Sequence, residues 1–123
     1  MYKRTDEAQA VIEAAGKYYT AMMDADARGL REVFHPKASV IGNLEGELEF
    51  ASLDELVAIT PDAKTGDKPF EYSVERLFIE GDTAVITVKT YCFETRYSDH
   101  LSLLRIDGDW KIVAKVFYAH PES

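Results

Sequence analysis

Two side chains near the C-terminus, Asp99 and Lys115, carry the sharpest chemical signal in the sequence. Both lie in 98–118, SDHLSLLRIDGDWKIVAKVFY, which reads as two long strands folded back around Asp107-Gly108-Asp109. With a three-residue loop at 107–109, Leu101 faces Lys115 and Asp99 faces Phe117, so all four share one face with Leu103 and Val113. With a four-residue loop the register moves by one, and His100, Ser102 and Phe117 share that face instead. A carboxylate and an ammonium in an apolar strip are costly unless they pair or meet a ligand. Asp99 is therefore a candidate acid or base, and Lys115 and Phe117 are candidate ligand contacts. The competing reading is a structural ion pair at a sheet edge or dimer face.

Tyr18 and Tyr19 follow on or beside an apolar helical stripe, and a buried phenol needs a hydrogen-bond partner that a cavity supplies. Tyr18 is taken as catalytic and Tyr19 as ligand-binding; core packing is the alternative for both. His35 is a third catalytic candidate, because imidazole titrates near neutrality, although a histidine before proline also ends helices. Tyr91 and His100 are candidate ligand contacts, Tyr91 as part of an aromatic wall with Phe93 and Tyr97. No spacing of His, Cys and acidic residues matches a metal centre, and no cofactor motif is present, so the site reads as metal-free and cofactor-free. Cys92 has no base nearby in sequence and is not read as a nucleophile.

Elements that position these residues are legible from periodicity. Ala8, Val11, Ile12, Ala15, Tyr18, Tyr19, Met22 and Met23 recur at steps of three and four, giving a helix of about five turns with Thr5 as N-cap. Gly16 interrupts it and would let the helix approach a sheet closely. Asp26 caps a short second helix that ends at His35-Pro36. Strands are expected at 38–43 and 46–50. Ser52 and Glu55 form a capping box for a helix reaching Ile59. The polar stretch 61–69 reads as a mobile loop. Strands at 70–79 and 83–93 precede the final hairpin. This order predicts one α+β domain over 1–123: a curved antiparallel sheet with helices on its concave face, forming a cone with a cavity at its open end.

The 123 residues suit one core, and 46 % apolar and 29 % charged residues are ordinary for a globular chain. A net charge of −8 argues against nucleic acid and anionic membranes as partners. One cysteine, no apolar run of the ~20 residues that span a bilayer, and a charged N-terminus indicate a cytoplasmic protein.

The long first helix, the step Phe34-His35-Pro36 and the ending IDGDWKIV followed by Lys115 and Phe117 resemble the nuclear transport factor 2-like superfamily, specifically its SnoaL-like and putative lumazine-binding branch. That resemblance implies a cone-shaped, cystatin-like fold; the outer sheet face must also be covered, and a strongly apolar one implies a homodimer through the sheet. Superfamily members include isomerases, dehydratases, cyclases and non-catalytic binders, so the likeness leaves function open. Against the ketosteroid isomerase members, the position of the catalytic base falls on Gly42, the helix tyrosine on Tyr18 and the second acidic donor near Ser102, which argues against steroid isomerisation by that mechanism. Scytalone dehydratase-like chemistry would use paired histidines, and the sequence does not bring His35, His100 and His120 together. The reading is a small-molecule-binding protein with an apolar pocket for a hydrophobic or aromatic compound, acting as an acid–base lyase, isomerase or cyclase; the alternative is a non-catalytic binding or dimerisation module.

Overall fold

The last hairpin is set by a two-residue turn. In the computed structural model, which describes residues 4–60 and 70–121, Asp107 and Gly108 have φ of 51° and 87° and join Ile106 to Asp109. Asp-Gly with both residues left-handed is the type I′ geometry that matches strand twist. The turn is one residue shorter than the three-residue loop expected from sequence. A bulge at Val113 restores the count: Leu103 pairs with Ile112, but Ser102 pairs with Ala114 and Leu101 with Lys115. Ile112 and Lys115, three apart, thus both face inward, which a strand of period two permits only through an extra residue. Ile112, fully buried, takes the inward place beside Leu103 that the sequence suggested for Val113.

Three helices and six strands follow in order: α1 Arg4–Met23, α2 Ala27–Val33, β1 Phe34–Leu44, β2 Glu47–Ser52, α3 Leu53–Ile59, β3 Glu71–Glu80, β4 Thr83–Cys92, β5 Thr95–Ile106 and β6 Asp109–Ala119. The strands form one curved, unclosed sheet in the order β2-β1-β6-β5-β4-β3. Every neighbouring pair is antiparallel except β1 and β6, which run parallel. The architecture is the expected α+β cone, with this one parallel pair as a correction: β1 reaches β6 only after the chain has passed through α3 and the β3–β6 meander. Helix α1 begins at Arg4, so Thr5 sits inside its first turn rather than capping it. The loop expected at 61–69 lies outside the described residues. Among the described residues, no helix is long and apolar enough to cross a membrane.

Local signals explain the short elements. The Asp26 side chain accepts from the Gly29 amide at 3.0 Å and starts α2. Ser52 and Glu55 exchange side-chain bonds with each other's backbone N–H, both at 3.1 Å, and start α3. Strand β1 begins at Phe34, directly after α2, so His35 and Pro36 belong to the strand rather than to the helix end.

Helix α1 buries Val11, Ala15, Tyr18 and Tyr19 against Ile86, Val88, Leu101 and Leu103 on the concave face. Two features fix its seat. A Cβ on Gly16 would lie 3.3 Å from the Tyr72 hydroxyl, so the glycine permits the close approach to β3. At the other end Glu7, 9 % exposed, accepts from Arg105 Nη1 through Oε1 and from Trp110 Nε1 at 3.0 Å through Oε2. Arg105 also lies over the Trp110 ring, 5.6 Å from its centroid, and bonds Asp82 at 2.6 Å. Glu7→Ala leaves a buried indole N–H and a guanidinium short of an acceptor. It is expected to lower stability by about 2–3 kcal/mol, measured as an earlier urea midpoint at unchanged m-value.

Candidate functional site

Four polar side chains meet between α1 and the β5–β6 hairpin. Asp99 pairs with Phe117 and Leu101 with Lys115, which makes Asp99 and Lys115 diagonal neighbours on the inner face. Adjacent positions on α1 let Tyr18 reach over β6 and Tyr19 over β5, with their rings 4.7 Å apart. The Tyr19 hydroxyl donates to Asp99 Oδ2 at 2.7 Å. Lys115 Nζ donates to the Tyr18 oxygen at 2.6 Å and stands 3.9 Å from Asp99 Oδ2. Tyr18 and Tyr19 are each 1 % exposed and Asp99 2 %. Asp99 Oδ1 is buried and has no hydrogen-bond partner among the described residues.

These groups form the polar end of a cavity of about 620 Å³. Its walls are apolar and aromatic, including Met22, Leu56, Phe70, Phe93, Tyr97 and Phe117, while Glu49 and Glu55 also line it. Phe117 lies flat over Gly42, where an added Cβ would come within 2.4 Å of the ring. Phe93 occupies the β4–β5 turn with φ of 52°, followed by Glu94 at 62°. Two successive non-glycine residues in the left-handed region are uncommon and store strain. The Phe93 ring meets Phe70 edge-on at 6.3 Å.

Burial sets the protonation of the cluster. Desolvation raises the Tyr18 phenol above its usual range against the opposing pull of Lys115. Tyr19 is raised by burial first, then by the charge of Asp99 and the hydrogen bond to it. Burial works against the Lys115 ammonium, but the Tyr18 oxygen and the Asp99 carboxylate outweigh it, and the net shift is upward. Burial pushes the Cys92 thiol up to about 11. At neutral pH the cavity therefore holds two phenols, a thiol and an ammonium ion. Because Lys115 donates to the Tyr18 oxygen, the Tyr18 O–H itself is available, with no acceptor among the described residues. With the buried Asp99 carboxylate, it gives this end of the cavity one unused donor and one unused acceptor among the described residues.

Of the residues singled out from sequence, the structure gathers Asp99, Tyr18, Tyr19, Lys115 and Phe117 around this cavity. Three others lie elsewhere. His100 follows Asp99 on β5, and because neighbours in a strand point to opposite faces it is exposed on the outer face, where its Nδ1 bonds Thr87 Oγ1 at 3.1 Å. Tyr91 faces outward between the inward Thr90 and Cys92 and carries the Arg96 guanidinium over its ring. His35 sits at the start of β1, where its Nδ1 accepts from the Lys37 amide at 3.0 Å. Sequence reasoning did not select Thr90, Cys92 or Glu49 as lining residues. For the first two, the period-two pattern shared with Ile86 and Val88 was the available signal. Glu49 is found only through the pairing of β2 with β1.

A family model described as "Putative lumazine-binding" matches residues 6–118. The aldolase FrzH of Cladobotryum sp is 29 % identical over 119 residues, covering 95 % of this chain and 94 % of that protein. Among solved structures, an NTF2-like protein of unknown function from Silicibacter pomeroyi DSS-3 superposes with a TM-score of 0.91 at 28 % identity, covering 97 % of this chain and all of the other. A second, from Shewanella baltica OS155, gives a TM-score of 0.86 at 22 % identity over 99 % of this chain and all of the other, a likeness of fold alone.

The cluster carries a pH signature. Tyr18, Tyr19 and Lys115 all hold their protons more tightly folded than unfolded. Above their ordinary values of 10.0 and 10.5 the unfolded chain loses protons that the native state keeps, so stability falls as pH rises. The contribution is fully present below about pH 9. Each group adds a slope approaching about 1.4 kcal/mol per pH unit once the unfolded form has titrated. Urea unfolding between pH 8 and 11 is expected to show this decline, and Tyr19→Phe to make it shallower by about one proton's worth.

Proposed function

Since the chain belongs to the putative lumazine-binding family of the nuclear transport factor 2-like superfamily, we propose that it binds a small, mostly hydrophobic carbonyl compound and enolises it. Asp99 Oδ1 takes a proton from the carbon next to the carbonyl. The electron pair of that C–H bond moves into a carbon–carbon double bond, and the carbonyl π-electrons move onto oxygen. Tyr18 donates a hydrogen bond to that oxygen, strengthened by the Lys115 ammonium behind it. Tyr19 orients the carboxylate through Oδ2. The enolate then attacks an aldehyde carbon, with the Asp99 proton passing to the alkoxide formed; or it expels a β-hydroxyl that leaves as water with that proton; or it takes the proton back at another carbon, which are the aldol, dehydration and isomerisation outcomes of one intermediate.

One observation carries this reading: among the described residues, a buried carboxylate oxygen has no partner, and a nearby phenol keeps its O–H unused because its oxygen is already held by an ammonium. The similarity to a protein named as an aldolase supports it. The raised affinity of Lys115 for its proton argues against a Schiff-base route, which needs the neutral amine. Acid–base work of this kind uses side chains alone and calls for no cofactor. The aromatic walls also suit a non-catalytic carrier of a flat ring system, the reading favoured by the name of the family.

We further propose that one domain acts as a homodimer through the outer sheet face, in a reducing cytoplasm that suits the single buried thiol. Phe78, Val85, Leu104, Val116 and Tyr118 stand exposed there, an apolar face that a second copy would cover. Sedimentation is expected to give twice the 13.9 kDa chain mass, and Leu104→Lys with Val116→Glu to give the single chain.

Enolisation is read directly by exchange of the α-protons of 4-phenylbutan-2-one in D2O. Wild-type protein is expected to accelerate it. Asp99→Asn should lose about 10²- to 10⁴-fold and Tyr18→Phe about 10²- to 10³-fold, with both variants folded by circular dichroism. Borohydride should trap no adduct on Lys115. Undiminished exchange in Asp99→Asn removes the carboxylate from the mechanism; binding without exchange in wild type favours the carrier.

A further inference from the structure

A single row of residues crosses the inner face of the sheet at the level of the reactive groups. Asp99 on β5 pairs with Phe117 on β6, Phe117 with Gly42 on β1, and Gly42 with Glu49 on β2. Three strand steps separate the two carboxyl-bearing residues, roughly 14 Å between Cα positions on a flat sheet. Gly42 contributes no side chain and Phe117 lies flat upon it, so the row between the two acids is floored by an aromatic ring. Asp99 is buried at one end; Glu49 is exposed at the other, and its carboxylate makes no hydrogen bond or ion pair with a described residue. Glu55 lines the same cavity, one of its oxygens held by the Ser52 amide.

Lys115 is the one cation among the described residues lining the cavity, and it is engaged by Tyr18 and Asp99. Among the described residues, an anionic ligand therefore meets no free positive charge and two rim carboxylates. A cationic one meets those carboxylates and the faces of aromatic side chains, which attract positive charge. The −8 net charge draws cations toward the protein as a whole. We propose that the ligand is an amino ketone or amino aldehyde: its carbonyl lies at Tyr18 and Asp99, and a protonated nitrogen at its far end is held by Glu49 with Glu55 alongside. This rests on the carbonyl reading of the inner cluster and adds the charge and length of the molecule.

Matched probes test it: 4-phenylbutan-2-one, its para-aminomethyl analogue and its para-carboxyl analogue, titrated calorimetrically into the wild-type chain. The ammonium probe is expected to bind about fivefold tighter than the neutral one, and the carboxylate probe more weakly. Glu49→Gln should bring the ammonium and neutral probes within about twofold of each other. Added salt should shrink the wild-type preference in the same way. Equal affinities for all three probes, or a preference that survives Glu49→Gln combined with Glu55→Gln, overturns the inference and leaves enolisation standing if exchange persists. Failure of all three to bind the wild type overturns both.

Discussion

A carboxylate and an ammonium share the interior of this protein, and the rest of the structure is arranged around keeping them there. Taking such ions out of water costs several kcal/mol each, and mutual attraction at 3.9 Å offsets that only when other hydrogen bonds help. Tyr18 and Tyr19 supply those bonds, one to each ion. Both phenols come from the same turn of α1, so the helix must sit at one height and one rotation above the hairpin. Gly16 against Tyr72 and Glu7 against Arg105 and Trp110 hold it there from two sides. The helix is thus as much a part of the site as the strands that carry the charges.

The second constraint is register. A strand shifted by one residue turns every side chain to the opposite face. On β5 that shift would exchange Asp99 for His100 inside the cavity. The type I′ turn at Asp107-Gly108 fixes the near end of the hairpin, and the bulge at Val113 resets the phase before Lys115. Without that extra residue, Ile112 and Lys115 could not both face inward. Core packing at one end of β6 and the buried ion at the other are made compatible by a single inserted residue.

Much of this was legible in the sequence, for reasons that are local. The caps at Asp26 and Ser52 are short-range hydrogen bonds written in adjacent residues, and the stripe of α1 follows from helical period. The pairing of Asp99 with Phe117 was reached from a loop one residue too long and a strand with no bulge, two offsets that cancel. Facing was less legible where it depends on distant pairing. Tyr91 is an aromatic strand residue like Tyr97, but the alternation of β4 turns it outward. His35 carries the right chemistry, yet β1 starts early and its ring serves the backbone of Lys37. The parallel union of β1 with β6 joins residues far apart in the chain, and no local pattern announces it. Glu49 enters the cavity through β2, which that union and the β1–β2 pairing together join to the sheet of β6.

The cross-sheet row also explains why the acid stands on β5. By resemblance to the ketosteroid isomerase members, a catalytic carboxylate would project from β1 at the position of Gly42. Here that position cannot bear a side chain, because the Phe117 ring occupies the space where a Cβ would stand. Gly42, Phe117 and Asp99 are successive members of one row, so a carboxylate on β5 addresses the same hollow from two strands away. The two arrangements exclude each other sterically: an aspartate at 42 would evict Phe117, and Phe117 in place requires glycine at 42. Moving the acid also moves its neighbours. On β5 it falls beside Lys115 and within reach of Tyr19, and the phenol at Tyr18 is backed by an ammonium rather than by a second acid. The same cone therefore presents a charge-balanced carboxylate–ammonium pair in place of the acidic pair that the resemblance would imply.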